Sequence, residues 1–190
     1  MPTAAVIAEQ KPKSAKKITK EQFLRRYADR EDGFKYEFNN GVIEKTKAIN
    51  QQQAMIQAIL LRIFIKTKAF AEGGLFTAET DMDTSKTQLR RPDLAIYSGN
   101  QVTKMKVGEK QVALWVAEII SPTDRADDIN AKVIEYFKAE VKVVWHIFPQ
   151  LKKVDVFTAP DKVTICSGKT VCSGAPALPD FEISAEELFA

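Results

Sequence analysis

The run from Val112 to Ile120 is apolar except for one carboxylate, Glu118, close to its end. A strand of that composition is buried on both faces. A lone carboxylate there is costly to desolvate unless a cation or hydrogen bonds compensate it. Glu118 therefore needs a partner, either a basic side chain or a bound metal. A second carboxylate, Asp93, follows Pro92 and opens the short apolar run Leu94 to Tyr97. Proline lacks an N–H and suits the first residue of a strand, so Asp93 falls near a strand start. If the two strands are antiparallel neighbours, that start meets the end bearing Glu118. Two carboxylates there make a hard oxygen site suited to Mg²⁺ or Mn²⁺. Asp128, Lys132 and Tyr136 stand at steps of four and share one helix face. They lie beside an apolar stripe of Ile129, Val133 and Phe137. Lys132, on the edge of that stripe, is placed to reach the strand ends. An ammonium there can orient an attacking water or steady charge on a phosphate.

The elements that must position these groups follow from patterning. Thr19 and Gln22 have the spacing of a capping box and open a short helix through Phe23, Leu24 and Tyr27. Lys35 to Phe38 and Val42 to Glu44 flank Asn39-Asn40-Gly41, a hairpin signal because Asn and Gly tolerate positive φ. From about residue 50 to 70, Met55, Ile56, Ile59, Leu60, Ile63 and Phe64 recur at helical steps, which predicts one long helix. Gly73-Gly74 ends it as a turn, since no Lys-Ser or Lys-Thr follows to make a phosphate loop. Strands are expected over Leu75 to Asp83, Leu94 to Tyr97, Val112 to Ile120, Val141 to Phe148 and Val154 to Phe157. A helix spans Asp124 to Lys138, a final hairpin turns around Gly168-Lys169, and a closing helix runs from Ile183 to Phe189 under a Ser184 cap. This is a mixed α+β pattern. The helix between the Glu118 strand and the Val141 strand fits a right-handed βαβ crossover.

Composition bounds the function classes. The chain has 190 residues, 45% hydrophobic and 28% charged, an ordinary balance for a chain that buries a core. No apolar stretch approaches a membrane span, and the N-terminus lacks the features of a secretory signal. Two cysteines, Cys166 and Cys172, make no disulfide framework and have no zinc spacing, so a cytoplasmic setting is expected. The net charge of +3 is concentrated at the start: residues 1 to 20 hold five lysines and one acid, leaving 23 bases against 24 acids elsewhere. Residues 1 to 17 read as a disordered tail, and residues 18 to 190 as one domain. Bulk charge on that domain gives no support for nucleic-acid binding, although a local patch could serve. The single histidine, His146, makes a serine triad poorly supported and reads as a packed or surface residue. Ser121 is not read as a nucleophile.

Glu118-Ile119-Ile120-Ser121-Pro122, then Asp128, Lys132 and Tyr136, then Val141 and Trp145, together resemble the Uma2 family (DUF820) of restriction-endonuclease-like proteins. Tyr36-Glu37-Phe38-Asn39-Asn40-Gly41, Arg91-Pro92-Asp93 and Leu178-Pro179-Asp180-Phe181-Glu182 fit the same pattern. The resemblance covers roughly residues 19 to 190. It implies a PD-(D/E)XK fold, a central mixed sheet flanked by helices. It also implies a divalent metal held by Asp93, Glu118 and the backbone carbonyl of Ile119. The superfamily's lysine stands two residues after the glutamate, where this chain has Ile120, so Lys132 takes that role. Glu37 matches an N-terminal acidic position and is a further candidate to bind metal or water. Two departures concern loops: Phe148-Pro149 where the family has Asp-Pro, and Glu140 where it often has Gly.

The resulting reading is a Mg²⁺- or Mn²⁺-dependent endonuclease acting on DNA, with a homodimer expected because two sites cut two strands. The alternatives are a nuclease-like module that binds nucleic acid or protein without cutting, and a structural module. In the structural reading, Glu118 and Lys132 form only a buried bridge. In the same way, Glu37 could point to solvent from its strand, and Asp128 could hold Lys132 in position.

Overall fold

The computed structural model describes residues 17–47 and 51–190. Of the tail expected over residues 1–17, residues 1–16 lie outside them. The core is a six-stranded mixed sheet of β3 (Leu75–Ala78), β6 (Leu94–Tyr97), β7 (Trp115–Ile119), β8 (Val143–Phe148), β9 (Lys153–Ala159) and β10 (Lys162–Ser167). Its order is β10-β9-β8-β7-β6-β3. Strands β7 and β8 are parallel and every other pair is antiparallel. The parallel pair needs a crossover, and α5 (Ala126–Lys138) supplies it. Among the described residues no helix is long and apolar enough to cross a membrane.

Strand alternation sorts the side chains onto two faces. Leu94, Ile96, Trp115, Ala117, Ile119, Val143, Trp145 and Ile147 share one apolar cluster with Ile56, Leu60 and Phe64 of α2 (Gln51–Phe64). The intervening Ala95, Tyr97, Val116 and Val144 pack instead against Val133 and Tyr136 of α5. Asp93, Glu118 and His146 have the parity of this second set, so the fold aims all three toward α5.

A second, four-stranded sheet has the order β2-β1-β5-β4, from β1 (Phe34–Asn39), β2 (Val42–Lys47), β4 (Met82–Ser85) and β5 (Gln88–Arg90). The β1–β2 turn is the expected Asn-Gly hairpin, with Asn40 at φ 48 and Gly41 at φ 92. Tyr36, Phe38 and Leu89 pack with Phe23 of α1 (Lys20–Phe23), which carries the expected Thr19–Gln22 capping box and continues as a π-helical turn to Ala28. Lys35, Glu37 and Arg90 therefore occupy the opposite face of this sheet, toward α5.

Several expectations are corrected. The segment Leu75 to Asp83 is not one strand: Glu79 takes φ 46, β3 ends at Ala78, and the chain crosses to the four-stranded sheet as β4. The helix expected from 50 to 70 stops at Phe64 and restarts as α3 (Lys68–Ala71). Thr67 drives the break, since its hydroxyl donates to the Phe64 carbonyl and accepts from the Phe70 N–H. Gly73-Gly74 is a turn as expected. A Cβ on Gly74 would lie 2.5 Å from the Ala69 carbonyl oxygen, so only glycine fits. Gly168-Lys169 does not close a hairpin, because β10 pairs with β9, and β11 (Val171–Gly174) pairs with β12 (Leu178–Ser184) in a separate two-stranded sheet. The closing helix is confined to α6 (Ala185–Leu188), under the Ser184–Glu187 capping box; Ile183 stays in β12. Helix α4 (Gly99–Lys106), absent from the sequence reading, is opened by a Ser98–Gln101 capping box.

Candidate active site

The two sheets meet where the chain passes from β5 through Pro92 into β6, and the candidate residues gather at that junction. Antiparallel pairing of β6 and β7 sets Leu94 opposite Ala117, so Asp93 sits beside the Glu118–Ile119 end of β7. The Asp93 carboxylate accepts the Ile119 N–H at 2.7 Å through Oδ2. Its Oδ1 lies 2.6 Å from the Lys35 ammonium. On the adjoining side, the Lys132 ammonium is 3.0 Å from Glu37 Oε2 and 3.4 Å from Glu118 Oε1. Tyr136, one turn along α5, donates its hydroxyl to Glu118 Oε1. Glu37 also accepts the Arg91 N–H at 3.0 Å and Arg90 Nη1 at 3.2 Å. Arg90 in turn binds Glu44 and, through Nε at 2.7 Å, Glu135 of α5. Asp93, Glu118 and Glu37 thus meet three bases, Lys35, Lys132 and Arg90, and the two further acids, Glu44 and Glu135, bind Arg90 at the more open end of the network.

Every central group is buried: Glu37 is 1% exposed, Glu118 6% and Asp93 7%. Lys132 is the most open of the pairing ammoniums, with 16% of its side chain accessible. Burial alone would raise the Glu37 pKa, but Lys132, Lys35 and Arg90 outweigh it and bring the group down to about 2. Glu118 goes the other way. Burial raises it, Lys132 offsets only part of that, and the neighbouring Asp93 charge adds to the rise. Burial opposes charge on Lys132, yet Glu118 and Glu37 raise its pKa above the ordinary lysine value. One carboxylate is thereby locked as an anion while its neighbour has enhanced proton affinity, an asymmetry typical of acid–base sites.

The structure brings Asp93, Glu118, Lys132 and Glu37 into one cluster. Glu37 points inward rather than to solvent. The Glu118–Lys132 bridge exists, but in company with Asp93. Ile119 meets Asp93 through its amide N–H. Asp128 does not hold Lys132: it is exposed and faces Arg125 at 3.8 Å. His146 is packed, 2% exposed, with its ring against Phe157. The sequence reading missed Lys35 and Arg90. Lys35 is two residues before Glu37 and so on the same strand face, which was the available signal. It also missed Glu79, half-buried at its positive φ, whose N–H donates to the Asp93 carbonyl at 3.2 Å.

Among the described residues no three His, Cys, Asp or Glu side chains gather as a metal cage. Two carboxylates at a strand junction fit a different case, a Mg²⁺ that keeps several waters and is held by one or two carboxylates plus substrate phosphate.

Residues 20–186 match the model of the Uma2 family, described as "Putative restriction endonuclease". The chain belongs to that family. It shares its fold with the crystal structure of "a putative nuclease belonging to DUF820" from Anabaena variabilis ATCC 29413, at a TM-score of 0.77 and 17% sequence identity. The likeness covers 90% of this chain and 97% of that one. No curated protein matches the chain.

Proposed function

We propose that this protein is a metal-dependent endonuclease that hydrolyses phosphodiester bonds in DNA, with Asp93 and Glu118 as the metal-binding carboxylates. One observation carries the reading: two carboxylates 25 positions apart in the chain converge, buried, on one junction together with Lys132. The Ile119 carbonyl, on the same strand end, is the expected additional oxygen ligand. When bound, Mg²⁺ or Mn²⁺ would polarise the phosphate and acidify an attacking water. The chain's own residues prepare that chemistry. The Ile119 N–H fixes the Asp93 carboxylate, Tyr136 and Lys132 fix Glu118, and Lys132 presents the ammonium that steadies charge developing on the phosphate. Glu37, held as an anion, anchors Lys132 and Arg90. DNA is the proposed partner, and cutting of both strands calls for two copies of the chain.

The mutual pairing of Lys35 with Asp93 favours a second reading, a nuclease-like module that binds without cutting. Plasmid nicking separates the two. Wild type with Mg²⁺ or Mn²⁺ is expected to nick supercoiled DNA, and Asp93→Ala to lose at least about 100-fold in rate, because the metal that polarises the phosphate is no longer held. Equal nicking by both proteins, or metal binding with no turnover, would overturn the nuclease assignment.

A further inference from the structure

We propose that Lys35 is a built-in competitor for the divalent cation at Asp93, a positioning residue whose ammonium must leave the carboxylate before a metal can engage it. The inference rests on the metal reading above. The two oxygens of Asp93 are not equivalent. Oδ2 is tied to a backbone N–H inside the sheet junction, so it cannot swing away without disturbing β7. Among the described residues Oδ1 is held only by Lys35, whose flexible four-carbon stem can retract. Lys35 is 6% exposed and comes from the other sheet, so its withdrawal breaks no pairing in β6 or β7. Its charge is held in place by Asp93, Glu118 and Glu37 together, against the cost of burial. An ammonium among three carboxylates occupies the electrostatic position that a divalent ion would take, and the two compete for the same lone pairs.

The consequence is that wild type binds free metal weakly and removal of the ammonium strengthens binding. Calorimetric titration of Mn²⁺ into the full chain tests this. Lys35→Met is expected to bind about tenfold more tightly than wild type, because the ion no longer displaces a paired ammonium. Lys35→Arg keeps the charge and is expected not to bind more tightly than wild type. Metal-free Lys35→Met should also melt at lower temperature, with Mn²⁺ raising its midpoint more than it raises that of wild type. Lys35→Met binding no more tightly than wild type overturns the proposal. If wild type binds no Mn²⁺ and Lys35→Met does, the competition stands; if neither binds, both the competition and the metal reading fall. If Lys35→Met does not fold, amine-reactive labelling of wild type decides. Lys35 should be labelled several-fold faster with Mn²⁺ than without, and an unchanged rate overturns the proposal.

Discussion

The two faces of the central sheet are built from the same strands and solve opposite problems. On one face Trp115, Trp145 and Phe181 meet with ring centroids 5.2 to 5.7 Å apart, closed in by α2 and the β11–β12 ribbon. The two contacts of Trp115, with Trp145 and with Phe181, are edge-on, and such contacts add about 0.5–1.5 kcal/mol each beyond the area they bury. On the other face, one residue along each strand, stand Glu118 and His146, and beyond them the Asp93–Lys35 and Lys132–Glu37 pairs. The apolar face supplies stability. The ionic face gives little net stability, since desolvation consumes most of what pairing returns, and it holds the candidate site residues. The difference teaches that adjacent residues in one strand can be under unrelated demands, and that stability and site chemistry should separate under mutation.

The largest break is expected on the apolar face. Trp145→Ala should cost about 3–5 kcal/mol, the range for deleting a buried aromatic ring. The check is urea unfolding, and a loss below about 1 kcal/mol would contradict the partition.

The next effect depends on pH. His146 has its Nε2 buried without a hydrogen-bond partner among the described residues, and burial, then Lys132 and Lys153, bring its pKa down from 6.5 to about 4. The unfolded chain therefore binds this proton more readily than the folded one. The resulting stability is fully present above about pH 6.5 and lost as pH falls toward 4, a swing of about 3 kcal/mol. His146→Leu should remove that limb while changing little at pH 7, as read from unfolding midpoints between pH 4 and 7. Glu37 has the same sign in a lower window, its contribution lost as pH falls from 4.5 to about 2. Parallel pH profiles for wild type and His146→Leu would sink this account.

Glu118→Gln sharpens the contrast between stability and chemistry. The amide keeps an oxygen for the Tyr136 hydroxyl and removes a charge that burial disfavours. Stability at pH 7 should hold or rise by about 1 kcal/mol, while metal affinity and nicking fall. A loss above about 2 kcal/mol would instead make the carboxylate a net stabiliser.

The smallest effect lies outside both faces. Glu140 adopts φ 74 in the turn after α5, a conformation that costs a side-chain-bearing residue about 1–2 kcal/mol. Glu140→Gly should raise stability by about 1 kcal/mol in a thermal melt, with nicking unchanged.

How much of this was legible follows from the range over which each signal acts. Glu118 stood out because a single carboxylate interrupts an apolar strand. Its meeting with Asp93 followed from strand polarity, and Lys132 from helical spacing. All three are local patterns plus one pairing assumption, and the register bears that assumption out. Lys35 and Arg90 were not legible, because their burial depends on the four-stranded sheet turning its polar face toward α5, a contact between distant segments. The split of Leu75 to Asp83 was hidden because the left-handed residue there is Glu79, not a glycine or asparagine. The turn at Gly168 was recognised, but a turn signal does not say which sheet the next strand joins. The Ser98–Gln101 capping box was present in the sequence and would have revealed α4.

The central claim is that Asp93 and Glu118 form a cation site, and calorimetric titration of Mn²⁺ into wild type and Asp93→Ala tests it most directly. The account predicts saturable binding by wild type and loss of that binding in Asp93→Ala. Equal saturable binding by the two proteins would contradict it.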